Sequence, residues 1–287
     1  MPHKSLRLLQ TMRLTAFALL LAAAPTATLA SDCGDDAAGF GAWLQRFKAR
    51  AAAQGIAPAA ISSGLAGVSY DANVIRLDRS QRSFKLSFEE FYARRVGAGL
   101  IRRGQNLMRT HRATLDRVEQ RFGVPAAVLI AIWGLETNYG SDGGGGKSIV
   151  RSLATLAYDC RRSEMFRDEL MDALRIVDRG DLSPDEMIGS WAGELGQTQF
   201  LPTSYVKFAV DFDGNGRRDL IRSVPDVLAS TANYLRGYGW QRGQPWSEGT
   251  HNFAVLKAWN KADVYQKTIA LFATRLAERR TSSSEAR

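Results

Sequence analysis

The stretch VPAAVLIAIWGLE, residues 124–136, is the part of the chain that most restricts its fold. Its apolar residues cover every face of a helix instead of forming a single stripe. Pro125 suits the first turn of such a helix, because its missing N–H would have no intrahelical partner there. A helix that is apolar all round must be buried. The sequence therefore predicts a globular core that contains a buried helix running to Leu135.

Helical spacing also dominates the rest of the chain. Apolar residues recur at this spacing over 106–122 and over 163–179. A further helix is expected from about 223 to 237, and the capping pattern SPDE at 183–186 predicts another helix start. Strand-like alternation is scarce. These patterns indicate a mainly α fold of one domain, or of one domain with a small lobe.

Residues 1–30 have the pattern of a secretory signal peptide. Basic residues precede the apolar run LTAFALLLAAA, and small residues follow it up to Ala30, where cleavage is expected; Ala27 is the alternative. The run is too short and wrongly flanked for a stable membrane span. The residues before Cys33 lack the small residue expected next to a lipid-modified cysteine. The sequence therefore predicts a periplasmic protein without a membrane anchor.

The formal net charge is +9, which includes the basic residues of the predicted signal peptide. A basic surface favours nucleic acid, anionic lipid or an acidic polymer as a partner, and export argues against nucleic acid. Cys33 and Cys160 leave two interpretations open. They either form one disulfide in an oxidising compartment, or Cys160 is a free thiol in an apolar niche.

Glu136 ends the apolar helix, where a carboxylate would be partly removed from water. Desolvation raises the pKa of a carboxyl group because it disfavours the charged form. A carboxyl group that keeps its proton near neutral pH is suited to general acid catalysis. The alternative is that Glu136 marks the point where the helix reaches the surface, with its carboxylate in water.

A second informative stretch is GSWAGELGQTQFLPTSY, residues 189–205. It combines glycines, amides, hydroxyls and aromatic rings with a single charged residue, Glu194. This mixture is poor at forming a regular core but suits a groove that hydrogen-bonds to sugars and stacks on them. The alternative is a glycine-rich connection between helices.

The motifs WGLETNYG, GSWAGELGQTQFLPTSY and VDFDGNGRRDL together resemble the lytic murein transglycosylase B family of bacterial cell-wall enzymes. The resemblance extends from about residue 84 to 277, with the motifs in the family's order. It implies an α+β, lysozyme-like and mainly helical fold. It also implies cleavage of the β-1,4 bond between N-acetylmuramic acid and N-acetylglucosamine in peptidoglycan. That reaction is non-hydrolytic: the muramyl C6 hydroxyl closes on C1 and leaves a 1,6-anhydromuramyl end.

The resemblance also implies roles for individual residues. Glu136 falls on the family's single catalytic carboxyl group, which acts first as an acid and then as a base, and no cofactor is required. Trp259 replaces a tyrosine of the family, which keeps a stacking surface but loses a hydroxyl. The implied glycan contacts are Ser190, Gln199, Tyr234, Asn260, Arg161 and Arg162. For the two arginines, an exposed and solvated turn is the alternative.

The stretch DFDGNGRRDL contains the start of an EF-hand loop, with oxygen ligands at alternating positions. Arg222 stands at the twelfth position, where that loop normally has a bidentate glutamate, so the loop is not a strict EF-hand. The resemblance implies a longer loop closed by a later acid, which alternatively only caps the next helix. We therefore expect a structural calcium ion without a direct part in catalysis. Its implied ligands are Asp211, Asp213, Asn215, the carbonyl of Arg217, and Asp226.

Two other functions are compatible with the same residues. If Glu194 faced Glu136 across a cleft at glycosidase separation, the protein would activate water and act as a muramidase-type hydrolase. A non-catalytic peptidoglycan-binding protein would hold glycan through its aromatic residues and basic surface.

The expected organisation has four parts. A signal peptide at 1–30 precedes an N-terminal helical extension at 31–83, a lysozyme-like lytic transglycosylase domain at 84–277 with a small EF-hand-like loop insertion, and a disordered tail at 278–287. Peptidoglycan glycan strands are the expected partner, with no nucleic acid and no membrane anchor, and the protein is expected to be a monomer.

Overall fold

The computed structural model of the protein describes residues 32–81 and 86–278. The predicted signal peptide, and all but the first residue of the predicted tail, lie outside this part of the chain. The described residues belong to one compact unit. Its elements are α1 (Phe40–Ala53), α2 (Pro58–Gly64), α3 (Ala72–Arg79), α4 (Phe88–Arg95), α5 (Ala98–Thr110), α6 (Arg112–Phe122), α7 (Ala126–Thr137), β1 (Lys147–Ser148), α8 (Ile149–Tyr158), α9 (Ser163–Asp178), β2 (Ile188–Gly189), α10 (Pro202–Phe208), α11 (Val224–Gly237), α12 (His251–Trp259) and α13 (Asp263–Ala277).

Helix α7 lies in the core, as its sequence predicts. Every residue from Ala127 to Leu135 is buried, and α5, α6, α11 and α13 pack against the helix. After α7, Asn138 and Tyr139 both adopt left-handed backbone angles, with φ of 49° and 58°. Such angles turn the chain away from the helix axis. Glu136 therefore lies in the last turn of α7, where the core meets the surface.

The ring of Tyr139 folds back onto α7 and requires glycine at position 134. A Cβ atom on Gly134 would lie 2.8 Å from a carbon of the Tyr139 ring, closer than real Cβ atoms approach. The Tyr139 hydroxyl donates to the carbonyl of Leu100 on α5 at 2.9 Å, and the ring packs edge-on against Trp133 with centroids 5.6 Å apart. This packing fixes the end of α7, and with it the position of Glu136.

Residues 32–81 pack onto the same core. Helices α1 and α3 contact α8, and α2 contacts α9. Cys33 and Cys160 form a disulfide with their Cα atoms 5.0 Å apart, so the disulfide interpretation is confirmed and the free Cys160 is wrong. Next to the disulfide, the amide of Gly34 donates to the carbonyl of Tyr158 at 2.9 Å. The N-terminal helices are thus tied to α8 by a covalent bond and by packing.

Two helix predictions need correction. The helix predicted over 106–122 is two helices that meet at His111, whose ring packs edge-on against Trp133 at 6.1 Å. The break lets both α5 and α6 contact α7. The helix start predicted at 183–186 is wrong, because these residues form a turn. The Glu186 carboxylate does accept from the amide of Ser183 at 2.8 Å, but the chain must pair as β2 only two residues later.

Strands β1 and β2 form a short antiparallel sheet in which Lys147 faces Gly189 and Ser148 faces Ile188. The mainly helical fold class is confirmed. Among the described residues, no single helix is long and apolar enough to cross a membrane. The pair α6 and α7, bent by 110°, meets that requirement by length and composition alone.

Candidate active site

A cleft of about 430 Å³ opens beside the last turn of α7. Its walls come from α7, the loop between β2 and α10, helix α11, and the turn that joins α12 to α13. The cleft brings together the predicted residues Glu136, Ser190, Gln199, Tyr234 and Asn260, and it is also lined by Trp191, Glu194, Phe200 and Trp259.

Two donors hold the carboxyl group of Glu136 by the same oxygen. The indole Nε1 of Trp259 donates to Oε1 at 2.8 Å, and the hydroxyl of Tyr265 donates to Oε1 at 2.7 Å. Trp259 ends α12 and Tyr265 lies in the first turn of α13, so the connection between these helices positions both donors. The second oxygen, Oε2, is left to carry a proton. Trp259 therefore supplies a donor through its ring nitrogen, although it lacks the hydroxyl of the tyrosine that it replaces.

Burial raises the pKa of Glu136 above its usual value. The hydrogen bonds from Trp259 and Tyr265 oppose this effect, as does the charge of Arg95, whereas the neighbouring charge of Glu194 adds to it. Burial also raises the pKa of Tyr265 well above its usual value, so the Tyr265 hydroxyl remains a donor. The combined effect favours a protonated Glu136 at higher pH than an ordinary glutamate allows.

The loop between β2 and α10 forms one wall of the cleft and is closed on itself. Its backbone bridges link Gly189 to Leu195 and Leu195 to Phe200. The hydroxyl of Ser190 donates to Oε2 of Glu194, and the amide of Ser190 donates to the carbonyl of Glu194 at 2.9 Å. Glu194 is therefore held against Ser190 within the loop while it also lines the cleft.

Gln199 has a left-handed backbone, with φ of 52°. Its side-chain amide donates to the carbonyl of Gly196 at 2.9 Å, which fixes the direction of the side chain. The remaining amide oxygen of Gln199 is an acceptor at the cleft wall. Strain of this kind in a non-glycine residue is typical of ligand-binding positions.

Three aromatic rings form the floor of the cleft next to Glu136. The ring centroids of Phe200 and Trp259 lie 5.6 Å apart, and those of Tyr234 and Trp259 lie 5.0 Å apart. The Tyr234 hydroxyl donates to the carbonyl of Ala258 at 2.6 Å, so the hydroxyl proton of Tyr234 is already engaged within the protein. This packing restricts the Trp259 ring to the orientation that donates to Glu136.

Arg161 and Arg162 are not among the described residues that line the cleft. Both bind Asp78, which is only 1% exposed; an Arg161 Nη1 lies 2.6 Å from the Asp78 carboxylate, and Arg162 pairs with its other oxygen. Burial tends to raise the pKa of Asp78, but these hydrogen bonds outweigh it and lower the pKa. Arg79 pairs with the same carboxylate. The arginine pair thus neutralises a buried acid and does not line the cleft, while Arg161 itself lies exposed in a turn.

Three of the predicted calcium ligands come together where the loop before α11 meets the first turn of that helix. Carboxylate oxygens of Asp211, Asp213 and Asp226 lie within 4.8 Å of one another, a separation that one cation with oxygen ligands at about 2.4 Å spans. Asp226 also accepts from the amides of Phe212 at 2.7 Å and Asp219 at 2.9 Å. The carboxylate of Asp226 therefore links Phe212 to Asp219 across the loop from a buried position.

Other residues of this loop have separate partners. The side-chain oxygen of Asn215 accepts from the amide of Arg217 at 2.9 Å. Arg222, at the twelfth position, pairs with Asp219 at 2.7 Å and with Glu186 at 2.6 Å. The all-oxygen donor set of the three acids suits a hard cation such as Ca²⁺.

A sequence model of the transglycosylase SLT domain matches residues 39–250, well over half of the chain. The chain belongs to this family. The matched range contains Glu136 and the loop with Ser190 and Gln199, but it ends before Trp259 and Tyr265. The two donors to Glu136 therefore come from a part of the chain that the SLT-domain match does not include.

Similar proteins agree with this assignment. The chain is 39% identical to membrane-bound lytic murein transglycosylase B of Escherichia coli (strain K12) over 130 residues, which cover 45% of this chain and 36% of that protein. The match thus spans about a third of the length of that curated relative. Among solved structures, SltB3 from Pseudomonas aeruginosa in complex with NAG-anhNAM-pentapeptide is 34% identical, with a TM-score of 0.77 over 82% of this chain and 78% of that one. The Escherichia coli lytic transglycosylase Slt35 in complex with calcium is 23% identical and has the same fold, with a TM-score of 0.72 over 82% and 92% of the chains.

Proposed function

We propose that this protein is a peptidoglycan lytic transglycosylase that cleaves the β-1,4 bond between N-acetylmuramic acid and N-acetylglucosamine and forms 1,6-anhydromuramyl ends. The observation that carries this proposal is the carboxyl group of Glu136, which lies in the cleft with one oxygen held by two donors and with a raised pKa. Family membership and the anhydromuramyl ligand of SltB3 support the same reaction.

The chemistry uses Glu136 twice. The protonated group gives its Oε2 proton to the glycosidic oxygen as the bond from that oxygen to the muramyl C1 breaks. The resulting carboxylate, stabilised at Oε1 by Trp259 and Tyr265, then takes the proton of the muramyl C6 hydroxyl as that oxygen bonds to C1. The proton count returns to its starting value, so no water is consumed and no second carboxyl group is needed.

The glycan contacts in this proposal are the cleft residues Ser190, Gln199, Tyr234 and Asn260. Asn260 is held in place because its side-chain oxygen accepts from the amide of Ala262 at 2.9 Å. We leave Arg161 and Arg162 out of the glycan contacts, because Asp78 engages both of them.

A muramidase-type hydrolase is the second candidate, since Glu194 lines the same cleft. Its bond from Ser190 favours a role in holding the loop over a role in activating water. Digestion of purified peptidoglycan by the wild type and by Glu194→Gln, followed by mass spectrometry of the muropeptides, separates the two candidates. The transglycosylase gives anhydromuramyl products with both proteins. Wild-type products that are heavier by one water molecule, and that Glu194→Gln no longer releases, would establish the hydrolase instead.

We further propose that the loop before α11 binds one structural Ca²⁺ through Asp211, Asp213 and Asp226, with Asn215 and the carbonyl of Arg217 as further ligands. The ion would join the loop to the first turn of α11 and has no role in the proton transfers. The site of action that we propose is the periplasm, on the basis of the basic, apolar and small-residue pattern of residues 1–30.

A further inference from the structure

A second pocket of about 380 Å³ lies on the other side of the last turn of α7. Glu136 lines the cleft, whereas its neighbours Gly134, Leu135 and Asn138 line this second pocket. The opposite wall comes from the end of α4 and from α5. The two pockets therefore share the helix end that carries Glu136.

The second pocket is strongly basic. Arg94, Arg95 and Arg103 line it, with Asp142 as the one acid among its lining residues. The sequence explains this charge, because the stretch RRVGAGLIRRGQNLMRTHR at 94–112 contains six arginines and no acid. Three guanidinium groups around one concave space bind carboxylates well, because each offers paired N–H donors that match two carboxylate oxygens.

Two of the three arginines are held by hydrogen bonds within the protein, but they keep N–H groups that can still donate to a ligand. Arg95 donates to the carbonyl of Leu135, and Arg103 donates to the side-chain oxygen of Asn138 at 3.3 Å and to the hydroxyl of Ser141. Each of these side chains is exposed and keeps further N–H groups. The side chain of Arg94 has neither a hydrogen bond nor an ion pair to another described residue.

We propose that this pocket is a carboxylate-binding subsite for the stem peptides of peptidoglycan, separate from the cleft that cleaves glycan. The inference rests on the proposed function, which makes peptidoglycan the substrate. The repeating glycan offers guanidinium groups few charged partners, whereas each stem peptide ends in a carboxylate. The subsite would hold a peptide of a bound or neighbouring strand beside the helix end that positions Glu136.

A lipid surface fits the pocket less well. The large apolar side chains that are exposed among the described residues are Met165, Ile188 and Tyr238, and none of them lies on α4 or α5. A basic surface without apolar residues for insertion, folded into a concavity, suits a discrete anionic group better than a flat bilayer.

Charge reversal at Arg94 tests the subsite with little risk to the fold, because the side chain is exposed and has no hydrogen bond or ion pair to a described residue that would be lost. Arg109→Glu on α5 is the matched control, since Arg109 is exposed and lies outside the pocket, and among the described residues its side chain hydrogen-bonds only to Asn106. A synthetic stem pentapeptide is titrated into each protein by NMR, alongside its carboxyl-amidated form. We expect Arg94→Glu to weaken pentapeptide binding at least fivefold, Arg109→Glu to leave it within twofold, and amidation to weaken binding to the wild type.

Turnover gives a second readout. With intact peptidoglycan, Arg94→Glu raises KM at least fivefold, and with peptidoglycan whose stem-peptide carboxylates have been amidated its KM equals that of the wild type. Equal pentapeptide binding by the wild type and Arg94→Glu overturns the subsite. If Arg94→Glu loses only the binding to vesicles of phosphatidylglycerol, the surface is assigned to lipid and the subsite is likewise overturned. If the wild type cleaves neither substrate, the proposed function fails, while the peptide titration still decides the subsite.

Discussion

Tyr265→Phe removes one of the two donors to Glu136 and keeps the ring. The ring of Tyr265 packs against Phe91 with centroids 5.9 Å apart, so the substitution retains this packing. The donor stabilises the carboxylate more than the neutral acid, and its loss therefore raises the pKa of Glu136. A hydrogen bond to a charged group contributes about 1.5 to 3 kcal/mol, against about 1 kcal/mol for a neutral pair. A difference of about 1 kcal/mol corresponds to a roughly fivefold gain in the proton affinity of Glu136.

The assay is the pH dependence of kcat/KM for release of soluble muropeptides. Activity falls as pH rises through the pKa of Glu136, because the first step needs the protonated acid. In Tyr265→Phe this fall occurs at higher pH, and the maximum rate decreases because the carboxylate formed in the first step is less stabilised. Tyr70→Phe is the control, since the Tyr70 hydroxyl donates to the carbonyl of Asp35 at 3.2 Å and Tyr70 does not line the cleft. A fall that stays at the same pH, or moves to lower pH, would refute the proposed coupling between Tyr265 and Glu136.

Three further predictions concern the scaffold. Gly134→Ala places a Cβ 2.8 Å from the Tyr139 ring, and we expect a loss of about 1 to 3 kcal/mol in unfolding free energy by urea denaturation; an unchanged midpoint would contradict the packing at the end of α7. Cys160→Ser removes a disulfide between residues 127 positions apart, and we expect it to lower the unfolding free energy by about 4 kcal/mol. A reducing agent should lower the unfolding free energy of the wild type in the same way, and equal stability of the oxidised and reduced protein would contradict this prediction. Added Ca²⁺ should raise the Tm of the wild type but not of Asp213→Ala, measured by calorimetry after chelator treatment; an equal rise in both proteins would place the ion elsewhere.

The sequence was sufficient to predict the elements with strong local signals. The apolar helix, its end at Glu136 and the groove composition of 189–205 depend on residues close together in the chain. The SPDE turn and the break at His111 were missed because tertiary contacts override local preference there. Ser183 and Glu186 form the expected cap contact, but β2 begins too soon for a helix to follow.

The donors to Glu136 could not be predicted from the sequence. Trp259 and Tyr265 lie 123 and 129 residues away along the chain, and only the packing of α13 against α7 brings them to the carboxyl group. The sequence marks Trp259 as a replacement for tyrosine, but the direction of its N–H depends on the neighbouring rings of Phe200 and Tyr234. Likewise, nothing in the local sequence shows that Arg161 and Arg162 bind Asp78, which is more than 80 residues away.

The central claim is that Glu136 is the only acid and base of the reaction, and Glu136→Gln tests it most directly. Glutamine keeps the size of the side chain and can still accept from Trp259 and Tyr265 through its oxygen, but it has no proton to give. Purified peptidoglycan is incubated with the wild type and with Glu136→Gln, and both sedimentation binding and the mass of released muropeptides are measured. We expect anhydromuramyl products from the wild type, none from Glu136→Gln, and equal binding by both. Continued release of anhydromuramyl products by Glu136→Gln would contradict this claim.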